Sequence, residues 1–325
     1  MTDSHAPIFV VGHPRSGTTL LASMLGRHPD LVSTPESLFM NQVRYQLIDA
    51  RKQGPEALVE AAMTGPLQYM ISDRAGFVAE LKAASAGAPL DENTVFATLL
   101  EHYRRAHGAT RVVEKTPLHL RHLDELVDWF PDCRIIWIIR DGRACVRSLQ
   151  KVDWATGDAA TLARQWVRNI SFGNTFAAQA GARLTTVRYE ALLADPATEL
   201  ARLCAHIGVE PVAEMLDTGG GTTVIKPQEM SWKGKVNTPV DASRADAWRR
   251  ELTPEDLAKV SPIMNDTLRA LGYPTDPVAS TLETWRGRLY TLKPAVRLQR
   301  MIFDRRARMF GPQIGRNAAK KGKTA

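Results

Sequence analysis

Short apolar runs alternate along this chain with longer stretches in which apolar side chains recur every three or four positions. Residues 8–11 form the first run, read as a buried strand, and lead into a glycine-bearing turn. Leu20, Leu21, Met24 and Leu25 then line one face of a helix expected from about 18 to 28. His28-Pro29-Asp30 stops it, and a second strand is expected at 31–33. From 37 to 105 the periodicity is helical, broken at Gly54-Pro55, Gly65-Pro66 and Ala88-Pro89, which predicts a helical insertion beside a sheet. The alternation then resumes. Strands are expected at 111–113, 134–139 and 184–187, with helices at 119–130, 142–151, 161–180 and 197–207. A last helix at 253–271 opens on Thr253-Pro254, an N-cap followed by proline at the first helical position. Strands separated by helices pair in parallel through right-handed crossovers. The expected fold is therefore three-layer α/β with a mostly parallel sheet and a P-loop-like first strand, turn and helix. Residues 219–243 read as a loop, and there is no internal repeat.

Composition narrows the class. With 325 residues and 44% hydrophobic content, the chain can bury a substantial core, which excludes wholesale disorder and fibrous repeats. No apolar stretch approaches the roughly 20 residues of a spanning helix, and the N-terminus lacks a secretory pattern. Cys133, Cys145 and Cys204 form no close pair, which argues against a disulfide scaffold and a cysteine-based zinc site. These features lead us to expect a soluble, cytoplasmic protein. The formal charge of +7 is unevenly placed. Residues 286–325 hold twelve Lys and Arg and one acid, while the other 285 residues hold 30 basic and 34 acidic groups. The body is thus slightly acidic, and a nucleic-acid surface spread over it is not expected. The expected division is one domain over 1–285, containing the insertion at 37–105, and a basic extension over 286–325. In the extension, cations interleave with Leu289, Leu292, Met301, Ile302 and Phe303. One reading is an amphipathic helix on the anionic inner face of a membrane; the other is a helix packed on the body with a lysine-rich end.

The strongest local signal is Gly12-His13-Pro14-Arg15-Ser16-Gly17-Thr18-Thr19, between the first strand and its helix. It has the spacing of a phosphate loop, with Thr18 where such loops carry lysine. Glycines let the backbone curl, amide N–H groups turn inward and the helix N-terminus adds positive charge, so an anion belongs there. Arg15 supplies a full charge, and Ser16, Thr18 and Thr19 supply further donors. A nucleoside triphosphatase would also need a magnesium-binding acid at the end of a neighbouring strand. Residues 135–139 end in Arg140 instead, and Asp141 reads as the cap of the next helix. A cation at a strand's C-terminal edge implies a second phosphate, with Ser148 two turns into the helix able to help hold it. Two anion sites without an obvious metal carboxylate suit a nucleotide phosphorylated at both its 5′ and 3′ positions.

These motifs resemble those of the sulfotransferases that use 3′-phosphoadenosine 5′-phosphosulfate, nearest to the branch containing tyrosylprotein sulfotransferases and bacterial relatives. Residues 14–20 are similar to that branch's 5′-phosphosulfate loop. Arg140-Asp141-Gly142-Arg143-Ala144 through Ser148 is similar to its 3′-phosphate motif, and Val187-Arg188-Tyr189-Glu190 to a strand-end motif, which puts Tyr189 among the nucleotide contacts. The likeness runs from about 8 to 275. It implies a catalytic lysine at Lys115 and a general base at Glu36, with Arg15 contacting the phosphosulfate and no catalytic metal. Ser231, Lys235, Arg244 and Trp248 are candidates for the loop that closes over the nucleotide.

Each residue also has a plainer reading. Lys115 could be a solvated lysine before Pro117, and Glu36 an acid in the first turn of the next helix. His13 lies in the loop, within reach of a substrate, whereas His119 and His122 fall on a helix and read as structural. The expected activity is transfer of a sulfuryl group to a hydroxyl acceptor, with sugar, lipid alcohol, phenol and peptide tyrosine all open. The rivals are a P-loop kinase or nucleotide hydrolase, against which Thr18 and Arg140 argue, and a non-catalytic nucleotide- or membrane-binding protein.

Overall fold

A computed structural model describes residues 5–217 and 241–276, with isolated positions 294, 298, 301 and 302 beyond. Ser231 and Lys235 lie outside the described residues, as does nearly all of the basic extension. Five strands, β1 (Ile8–Gly12), β2 (Leu31–Ser33), β3 (Arg111–Lys115), β4 (Arg134–Ile139) and β5 (Leu184–Arg188), form one sheet in the order β2-β3-β1-β4-β5. Every pairing is parallel, with Val10 opposite Lys115, Gly12 opposite Ile138 and Ile139 opposite Arg188. The central strands β1 and β4 are apolar almost throughout because both of their faces are covered.

Side-chain alternation divides the core into two layers. Phe9, Val11, Ile135, Trp137 and Ile139 belong to one cluster, which also takes in the insertion and the helices α3 (Ala159–Ala180) and α5 (Pro254–Ala270). Ile8, Val10, Val113, Ile136 and Ile138 belong to the other, with α1 (Thr18–Leu25) and α4 (Pro196–Ile207). The insertion is helical as expected, its longest member spanning Glu92–Ala106. Phe96 from that helix stacks on Phe39 at 4.4 Å and lies 6.4 Å from Phe9 of the sheet.

Several boundaries differ from expectation for local reasons. Helix α1 ends at Leu25, because the amides of Arg27 and His28 tighten onto the carbonyls three residues back, Met24 and Leu25, instead of continuing the helical ladder. The stretch expected as one helix over 119–130 is a 3₁₀ turn, Pro117–Arg121, followed by Leu123–Trp129. Strand β3 runs two residues further than expected and includes Glu114 and Lys115. Among the described residues no helix is long and apolar enough to cross a membrane.

Since all five strands point the same way, their C-terminal ends share one edge of the sheet. The loop after β1, Glu36 beyond β2, Lys115 ending β3, Arg140 after β4 and Tyr189 after β5 all arrive there.

Candidate active site

That edge opens into a cleft of about 690 Å³. Arg15, Gly17, Thr18 and Thr19 line it beside Glu36, Arg140, Ser148, Tyr189, Arg244 and Trp248, so residues remote in sequence share one space. The loop is built by two left-handed residues, Arg15 at φ 71° and Gly17 at φ 97°. At Gly17 a side chain is excluded twice over: a Cβ there would lie 2.4 Å from the Tyr189 ring. Ser16 is placed differently from its neighbours. It is buried, its hydroxyl faces the Cys145 thiol at 3.6 Å, and its amide closes the loop onto the His13 carbonyl.

The two arginines converge. Arg15 Nε donates to Ser148 Oγ at 3.0 Å. Arg140 donates to the Arg15 carbonyl at 3.1 Å and to the Arg244 carbonyl at 3.0 Å, and its guanidinium lies 4.2 Å from the centroid of the Tyr189 ring. Burial, and after it the charge of Arg140, lower the Arg15 guanidinium from its ordinary value, while burial raises the Tyr189 phenol. Arg140 thus faces the loop, and Asp141 is engaged elsewhere. Asp141 accepts the Arg143 amide at the start of α2 (Gly142–Leu149) and binds the Arg143 guanidinium at 2.7 Å. The Trp166 indole holds the Arg140 carbonyl at 3.2 Å.

Opposite the loop, Lys115 Nζ donates to Glu36 Oε1 at 2.7 Å. Lys115 is buried, which removes its reading as a solvated lysine. Glu36 lies in an irregular segment, three residues before the next helical turn at Phe39–Val43, so it is not a first-turn acid either. Glu36 lines the cleft while Lys115 is buried behind it and absent from the lining, an arrangement that can hold a proton-accepting oxygen and place positive charge near a reacting group.

His13 departs from expectation. Its ring is buried, is absent from the cleft lining and meets the Asn169 amide at 2.7 Å, where Arg121 holds the amide oxygen at 2.8 Å. With the oxygen so engaged, Asn169 presents N–H to His13 Nδ1, and the ring accepts as a neutral base. Burial, assisted by the Arg121 charge, lowers His13 to about 3. His119 and His122 are buried and bonded within the protein, as expected of structural histidines.

Other cleft residues carried no sequence signal. Arg147, Lys151 and Glu251 meet at one rim, with Arg147 3.5 Å from Glu251 and Lys151 bonded to the same carboxylate. Trp154 is half-exposed at the mouth, and Leu38, Gln42 and Leu118 line the wall past Glu36. Spacing along the chain could not find them, because four separate segments, around 38–42, 118, 147–154 and 251, meet at the cleft only in the folded chain. Among the described residues there is no group of three His, Cys, Asp or Glu placed to hold a metal ion.

The lining suits an anionic ligand: left-handed residues and the first residues of α1 border the cleft, Arg15 and Arg140 line it, and the buried Nε of Arg140 has no hydrogen-bond partner among the described residues.

Comparison with known proteins gives a consistent picture. A sequence profile described as the sulfotransferase family matches residues 7–214. The chain is 26% identical over 290 residues to the nodulation protein NoeE of Sinorhizobium fredii, covering 82% of this chain and 65% of that protein, so it spans slightly less than two thirds of that relative. It is 27% identical over 284 residues to protein-tyrosine sulfotransferase 1 of Danio rerio, covering 84% of this chain and 73% of the other. Among solved structures, the sulfotransferase domain of the curacin biosynthetic pathway superposes with a TM-score of 0.59 at 21% identity, over 84% of this chain and 99% of that one. The sulfotransferase domain of the Synechococcus PCC 7002 olefin synthase superposes with a TM-score of 0.53 at 22% identity, over 89% and 96%. At such identities the superpositions establish the fold.

Proposed function

Because this chain belongs to the sulfotransferase family, we propose that it moves the sulfuryl group of 3′-phosphoadenosine 5′-phosphosulfate to a hydroxyl acceptor, with Glu36 as general base. The observation that carries this reading is the 2.7 Å contact between Lys115 and Glu36, in which Glu36 lines the same cleft as Arg15 and Arg140 and the Lys115 ammonium lies directly behind it.

The reaction is an in-line displacement. The acceptor oxygen forms a bond to sulfur, the bond from sulfur to the 5′-phosphate oxygen breaks, and adenosine 3′,5′-bisphosphate leaves. The hydroxyl proton passes to Glu36. Positioning and electrostatics supply most of the acceleration, as in phosphoryl transfer. Arg15, Thr18, Thr19 and the loop amides hold the 5′ end. Lys115 shares its ammonium between Glu36 and the charge that develops on the leaving oxygen. Arg140 and Ser148 serve the 3′-phosphate, with Tyr189 beneath Arg140 and Arg244 and Trp248 on the closing side. Arg15 presently engages Ser148, so donor binding exchanges that bond for one to an anion.

The acceptor meets Glu36 between Leu38, Gln42 and Leu118. Relatives named protein-tyrosine sulfotransferases support peptide tyrosine as one candidate hydroxyl. A kinase or hydrolase reading is disfavoured by the occupation of Asp141, whose two oxygens are both bonded by Arg143. Calorimetric titration distinguishes the readings: adenosine 3′,5′-bisphosphate should bind in the micromolar range or tighter, and ATP with magnesium at least tenfold more weakly. Labelled donor offered with a tyrosine peptide, a phenol, a sugar and a lipid alcohol then identifies the acceptor. Equal affinity for the two nucleotides, with no transfer to any hydroxyl, would overturn the proposal.

A further inference from the structure

We propose that Glu114 is a positioning residue of this site, fixing Glu36 and Lys115 relative to each other through the hydroxyls of Ser37 and Thr116; the inference rests on the sulfuryl-transfer reading.

Glu114 precedes Lys115 in β3 and has no exposed surface. Its Oε1 accepts from Ser37 Oγ at 2.7 Å and from Thr116 Oγ1 at 2.7 Å. Its Oε2 lies 2.9 Å from His119 Nδ1. The Met40 amide donates to His119 Nε2 at 3.2 Å, which leaves the ring hydrogen on Nδ1, the nitrogen nearer the carboxylate. Oε1 thus carries two hydroxyl hydrogen bonds, whereas Oε2 faces the His119 ring without one, so the buried carboxyl is held chiefly through Ser37 and Thr116.

The partners give the arrangement its purpose. Ser37 directly follows Glu36, and Thr116 directly follows Lys115. Each hydroxyl spends its only hydrogen on Oε1 of Glu114 and accepts a backbone amide in return: Phe39 to Ser37 at 3.2 Å and Leu38 to Thr116 at 3.3 Å. Between them Leu38 is held in the left-handed region at φ 53°, which a leucine adopts only where its surroundings impose it. One buried carboxylate therefore ties the loop carrying the base to the strand carrying the lysine, on the side of each residue away from its sequence start. The 2.7 Å Glu36–Lys115 contact bridges the same two elements. A loop not tied in this way would let Glu36 drift from the acceptor, and displacements near 1 Å cost on the order of a hundredfold in rate.

The test uses the full chain with Glu114→Gln, Glu36→Gln and their combination. Glutamine keeps the shape but brings an N–H against the His119 N–H or the two hydroxyls. Hydrogen exchange, which does not depend on turnover, should quicken at the Leu38 and Phe39 amides by roughly tenfold or more in Glu114→Gln. With 3′-phosphoadenosine 5′-phosphosulfate as donor and 4-nitrophenol or a tyrosine peptide as acceptor, kcat should fall about tenfold to a hundredfold. The donor KM and the affinity for adenosine 3′,5′-bisphosphate should stay within about twofold. Added to Glu36→Gln, the same change should cost less than about threefold, because the positioned group is already disabled. Should Glu114→Gln fail to fold, Ser37→Ala removes one arm of the clamp and should reproduce the exchange and kcat changes in part. Unchanged exchange at Leu38 and Phe39, unchanged kcat, or an equal loss in both backgrounds overturns the proposal. Failure of the wild-type protein to bind adenosine 3′,5′-bisphosphate instead removes the sulfuryl-transfer reading, and the exchange result still decides whether the clamp exists.

Discussion

Acidification should weaken this protein through His13, and the size of the effect follows from where the ring lies. His13 is buried beneath the phosphate loop and takes up a proton only near pH 3, whereas in the unfolded chain it does so near its ordinary 6.5. Between those values the unfolded state binds more protons than the native state, so stability rises with pH through this window and falls as pH drops. At 1.36 kcal/mol per unit, the contribution lost between pH 7 and pH 5 is about 2 kcal/mol, and about 3 kcal/mol by pH 4. Other groups titrate over this range, so the quantity to isolate is a difference. Urea unfolding of the wild-type protein and of His13→Gln, each at pH 7 and pH 5, gives two losses of stability. Glutamine can still accept from the Asn169 amide but does not titrate, and the wild-type loss should exceed the variant's by about 2 kcal/mol, whatever the variant's absolute stability. Equal losses, or an assigned His13 imidazole resonance of the native protein titrating near 6.5, would refute the burial argument.

Glu36→Gln and Lys115→Ala should each lower kcat by about 10²–10⁴ with affinity for adenosine 3′,5′-bisphosphate within a few-fold, as steady-state kinetics and calorimetry can check. Arg140→Ala should weaken that nucleotide about 10–100-fold, and Arg140→Lys should not restore it, because only the planar guanidinium spans the Arg15 and Arg244 carbonyls while lying over Tyr189. Gly17→Ala sets a methyl 2.4 Å from the Tyr189 ring at φ 97°, and should lower stability by roughly 1–3 kcal/mol in thermal melts along with nucleotide affinity.

Much of the architecture was legible along the chain because strands buried on both faces announce themselves as continuous apolar runs, and β1 and β4 are such runs. The phosphate loop was equally plain, since its glycine spacing is dictated by backbone geometry between one strand and one helix. Helix ends were less legible. The turn of 26–28 and the 3₁₀ segment at 117–121 are set by hydrogen bonds to particular carbonyls, and apolar periodicity does not encode those.

What the chain determined by itself was therefore the local chemistry: a loop that wants an anion, an arginine ending a strand, and a lysine and a glutamate each following an apolar run. Side-chain direction and partnership were decided in three dimensions. His13 turns inward to Asn169 although its neighbours line the cleft, and Glu114, which lay just past the expected strand, joins two hydroxyls contributed from 37 and 116. Sequence records which groups are present and how the backbone near them bends. The distances at which a proton or an anion can be shared are fixed only once a parallel sheet has brought five strand ends to the same edge.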